Sequence, residues 1–266
     1  MARIQEWDLQ SCHPDTETLQ RIIHRTELTP LIYCSYWKGN KELISTFVER
    51  WQPETNTFHM SFGEMSITLE DVSMLLKILV TGKVVAVDSL SRYTEDSRKE
   101  AIELVSKLLG VTIEEAEEEV NIMNGLTVRK AWLKTRWAPN RKSKPRNYSP
   151  VQCTTRAFIL YLLSCTLFTD KSGSRVSIAL LKLLENLDDV AKYAWGATAL
   201  AYLYRHLAAA TRYEVSQIVG YLTLLEGWIY EHFKLGFVVS NAKFRGRYSR
   251  RRSPLSPPDC KTVSRC

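Results

Sequence analysis

The chain has 266 residues, 45% hydrophobic and 24% charged, ordinary proportions for a soluble globular protein with material for a buried core. The formal charge of +7 is local: positions 243–266 hold eight basic residues and one acid, while the remaining 28 basic and 28 acidic residues cancel. The polar start MARIQEWDLQ does not read as a secretory leader, the longest apolar run at 157–168 is too short to span a bilayer, and six scattered cysteines without a C-x-x-C pair exclude a disulfide scaffold.

These features predict a soluble intracellular protein with reduced, mostly buried thiols. Cys12, His13, His24 and Cys34 match no common zinc spacing, and no metal site or cofactor is expected from them.

In chain order, Leu19, Ile22 and Ile23 predict a short amphipathic helix over 16–26, and Leu43, Ile44, Phe47 and Val48 a second over 41–51, stopped by Pro53. TFHM and SITL alternate in character around SFGE, which predicts a β-hairpin over 57–68. Thr68-x-x-Asp71 has the spacing of a capping box and predicts a helix over 69–79. A turn at Thr81-Gly82 then leads to the extended KVVAV. Helices follow over 98–109 and 112–123, the second capped by Thr112 with five glutamates towards its positive N-terminal end. The stretch 138–150 reads as a loop, and four apolar-rich helices are expected over 151–168, 175–185, 188–210 and 213–233. The fold class is therefore mainly α with one small hairpin. Residues 1–242 are expected as a single domain, and the Arg/Ser/Pro-rich positions 243–266 as a disordered basic tail.

Two stretches invite a functional reading. Glu54, His59, Glu64, Glu70 and Asp71 fall within two dozen positions and supply the residue types of an acid/base or metal site. Each also has an ordinary use in a turn, a cap or an ion pair, and this scaffold reading is preferred.

The second stretch is the acid-free window between Glu119 and Asp170. It carries Arg129, Lys130, Lys134, Arg136, Arg141, Lys142, Lys144 and Arg146 among Trp132, Trp137 and Tyr148. Cations beside aromatics suit phosphates and stacked bases, whereas core tryptophans in a solvated basic loop would look the same. Arg250, Arg251 and Arg252 are of the type read as a nuclear address, and equally of the type found in a terminus without a role.

The block WQPETNTFHMSFGEMSITLEDVSMLL resembles the signature of the plant mobile domain, a transposon-associated family. The matching residues are Trp51, Pro53, Glu54, Thr55, Phe58, Gly63, Glu64, Met65, Ile67, Leu69, Asp71 and Val72, with later blocks at 161–176, 193–207 and 222–233. The resemblance covers about 15–235 and stops short of the usual family length, as a truncated copy would.

It implies a nuclear protein similar to the maintenance-of-meristems-like proteins of plants, active in transposon silencing, gene regulation or meristem maintenance, with a phosphatase-like protein partner. The family has also carried the label aminotransferase-like. No Gly-rich phosphate loop or series of parallel strands supports that activity, and no Asp-x-His or Gly-Asp-x-x metal set supports a phosphatase. The expectation is a non-enzymatic interaction module. Two alternatives stand beside it: a degenerate mobile-element remnant without a defined role, and an unrecognised enzyme using the polar cluster at 54–71.

Overall fold

Asp15 accepts the Thr18 amide at 3.1 Å and so begins α1 (Thr16–Arg25), which buries Leu19 and Ile23. The structure, a computed structural model, describes residue 4 and residues 7–10, 12–34, 40–85, 94–122, 126–138, 150–169, 173–211 and 220–233. A short α2 (Thr29–Tyr33) precedes α3 (Lys41–Val48), which is capped by Asn40 through the Leu43 amide.

The chain then forms a three-stranded antiparallel meander of β1 (Trp51–Gln52), β2 (Thr57–Met60) and β3 (Gly63–Met65), in that order. A hairpin does form within 57–68 with TFHM as its first strand, but its second strand is Gly63–Met65, inside the expected SFGE turn. SITL is not a strand, because the turn closes at Ser61 and Phe62 and pairs Met60 with Gly63. The helix expected over 41–51 ends three residues early, because Trp51 pairs with Phe58 as a strand residue.

Next comes α4 (Leu69–Leu76), which ends at Lys77 in the left-handed conformation. Beyond it, the segment at 79–83 lies beside 192–196: the Lys83 amide donates to the Lys192 carbonyl at 2.8 Å and the Gly196 amide to Leu79 at 2.8 Å. Gly82 is required there. Its φ is +137°, and a Cβ would sit 2.4 Å from the Lys192 oxygen.

Two helices, α5 (Glu95–Leu109) and α6 (Ile113–Ile122), pack on each other, and Thr112 accepts the Glu115 amide as expected. The strand β4 (Thr127–Arg129) leads directly into α7 (Lys130–Trp137). β4 was not legible in the sequence. It pairs antiparallel with β5 (Arg175–Ser177), at the head of a segment expected to be helical throughout. Only α9 (Ala179–Leu183) of that expected helix forms.

The helix expected over 188–210 is also divided. A 3-10 turn at Leu187–Lys192 is followed by a break at Tyr193 and Ala194, then by α10 (Trp195–Ala210). The break has a cause: the backbone there is engaged by Lys83. Of the last expected helix, α11 (Leu222–His232) forms, while 212–219 lies outside the described residues. So do most of the 138–150 loop, the end of KVVAV and the 243–266 tail.

The centre of the fold is α8 (Val151–Cys165), buried on every side from Ala157 to Ser164 and packed by α1, α5, α7 and β5. The Trp7 ring meets Phe158 and Tyr161 with centroids 5.7 and 5.1 Å apart. Cys12, Cys34 and Cys153 are buried, and desolvation pushes the Cys12 thiol up to about 11. All these elements lie within the unit Met1–His232. Among the described residues no helix is long and apolar enough to cross a membrane.

Candidate functional site

In the 51–76 stretch, Phe58 is fully buried, with the Trp51 ring 4.8 Å away edge-on and the Trp228 ring of α11 stacked at 5.3 Å. Phe47 of α3 approaches the same ring at 5.7 Å. Strand alternation therefore sends His59 to the opposite, exposed face, where it lies across from Glu64. The Glu64 carboxylate accepts the Thr57 hydroxyl at 3.0 Å.

Glu54 is exposed in the β1–β2 turn, and Glu70 is exposed on α4. Asp71 closes the predicted capping box: its Oδ2 accepts the Thr68 amide at 2.8 Å, and Thr68 Oγ accepts the Asp71 amide at 3.1 Å. Its other oxygen lies 3.5 Å from His232 Nε2 on α11. Glu54 thus lies in a turn, His59 and Glu64 on one hairpin face, and Glu70 and Asp71 at a helix start. Among the described residues no group of three or more His, Cys, Asp or Glu could hold a metal ion.

One polar feature of this region had no counterpart in the sequence reading. Tyr204 of α10 donates to the Ile67 carbonyl, and its oxygen lies 2.6 Å from the Ser66 hydroxyl, which itself donates to the Asn56 carbonyl. Burial raises the Tyr204 phenol above its ordinary value of 10.0. The tyrosine fastens the end of the meander to α10 across 138 positions, and no local signal could have found that.

Within the described part of the basic window, Arg129, Lys130 and Arg136 are bonded to the fold. Arg129 closes on Glu119 of α6, with its Nη2 2.5 Å from one carboxylate oxygen and its own amide donating to the other at 2.7 Å. The Glu119 side chain is 1% exposed, and its hydrogen bond raises the pKa of the Arg129 guanidinium. Lys130 is 4% exposed and donates to the Ser164 carbonyl at the end of α8, at 2.8 Å. Arg136 pairs with Glu115 at 3.2 Å, and Lys134 is half-buried.

Trp137 is buried and meets the half-buried Trp132 edge-on at 5.1 Å. Beside them is an open depression of about 380 Å³, lined among others by Glu115, Glu118, Arg129, Trp132 and Arg136. The role of Glu119 had a sequence signal: it follows Ala116 by three positions and precedes Val120, so it stands in the buried stripe of α6. Arg141, Lys142, Lys144 and Arg146, with Arg250, Arg251 and Arg252, lie outside the described residues.

The family model described as plant mobile domain matches residues 28–248, from α2 past the end of α11. The chain belongs to the plant mobile domain family. This domain is 39% identical over 197 residues to Protein MAIN-LIKE 1 of Arabidopsis thaliana and 37% identical over 196 residues to Protein MAINTENANCE OF MERISTEMS of the same plant. It is also 38% identical over 194 residues to an Arabidopsis thaliana protein named serine/threonine-protein phosphatase 7 long form homolog. Each match takes 73 to 74% of the chain, but only 36%, 38% and 13% of these relatives in turn. No solved structure matches significantly. The motif block of this plant mobile domain sits on the meander and α4.

Proposed function

We propose that this plant mobile domain is a non-enzymatic nuclear module that binds a protein partner of phosphatase-like kind and acts in transposon silencing, gene regulation or meristem maintenance. The observation that supports the non-enzymatic reading is that Glu54, the His59–Glu64 pair and Asp71 lie on a turn, a hairpin face and a helix start, with Glu64 and Asp71 bonded to Thr57 and Thr68. The partner reading is supported by the relative named as a phosphatase homolog, of which the matched stretch is only 13%. The meristem context is supported by the names of the relatives.

The test is recovery of partners from plant nuclei with the full chain as bait. A phosphatase-like protein retained by the wild-type chain, and equally by a triple variant with Glu54→Gln, His59→Gln and Glu64→Gln, is the expected outcome. No phosphatase-like protein with either bait overturns the reading.

A second reading adds nucleic acid. Since Arg129, Lys130 and Arg136 are bonded within the fold, the interface narrows to Arg141, Lys142, Lys144 and Arg146 with the tail arginines. Changing Lys142, Lys144 and Arg146 together to glutamate then weakens binding to DNA or RNA. It also flattens the salt dependence, by about 0.9 in the log–log slope for each duplex phosphate that is no longer neutralised. Unchanged affinity and slope remove this reading.

A further inference from the structure

No further inference is drawn: the strongest candidate, the open depression between α6 and α7 where Glu115 and Glu118 stand beside the Trp132 ring, is an acidic cluster whose arginines Arg129 and Arg136 already pair with α6 carboxylates, and nothing in the structure shows what covers it.

Discussion

The β1–β3 meander with α4 and the α6–β4–α7 arm both gather acids beside aromatic rings, and they use those acids differently. In the meander the rings form the core and the carboxylates close mostly local bonds, such as Thr57 to Glu64 and Thr68 to Asp71, with Asp71 also 3.5 Å from His232 of α11. In the arm a carboxylate itself goes inside: Glu119 is buried and depends on Arg129 for charge balance, while the adjacent Lys130 reaches into the end of α8. Polar groups on the meander can therefore be removed at little cost. Those of the arm cannot, because an unpaired charge left in the interior has no water to replace its partner.

The comparison can be broken first at its largest expected effect. Phe58→Ala removes the ring on which Phe47, Trp51 and Trp228 converge, and should cost about 3–5 kcal/mol in denaturant unfolding. Arg129→Met strands the buried Glu119 carboxylate and should cost about 3 kcal/mol, clearly more than Glu119→Gln, which leaves no orphaned charge. Equal losses from those two variants would show that the pair is not balanced as described.

Gly196→Ala tests the join between α10 and the chain after α4. Its Cβ would meet Val80 Cγ1 at 2.8 Å and the Leu79 carbonyl at 3.0 Å, and overpacking of this kind costs about 1–3 kcal/mol. Thr68→Ala, which opens the capping box of α4, should cost about 1 kcal/mol by the same measurement. His59→Gln and Glu64→Gln, on the exposed meander face, should stay within about 0.5 kcal/mol of wild type.

A pH titration sharpens the picture at the surface. Lys192 hydrogen-bonds Asp189 and holds its carboxyl below the ordinary 3.8, so the contribution is full well above pH 3.8 and fades as pH falls through the lowered folded value. Asp189→Asn should remove that small part of the acid-induced loss and leave neutral-pH packing unchanged.

The parts of the fold that were legible are those closed by short-range bonds. The Thr68–Asp71 capping box, the Thr112 cap and the alternation around Phe58 each involve residues a few positions apart, and all formed where spacing placed them. The apolar run of α8 was readable as a helix, although its central position was not. The strand pair β4–β5 was hidden because each strand is three residues long and its partner lies dozens of positions away. The break before α10 was hidden for the same reason, since it answers to Lys83 on a distant segment.

The candidate site divides the same way. Composition identified which residues carry charge around 129–136, but whether a cation faces solvent depends on what packs against it. By itself the order of amino acids determined the helical class, the hairpin, the caps and the family signature, because these rest on neighbours along the chain. The tertiary structure alone decided that Lys130 is buried, that Glu119 and Arg129 balance each other, and that Tyr204 holds the meander to α10. Burial and pairing are set by groups that meet only once the chain has folded.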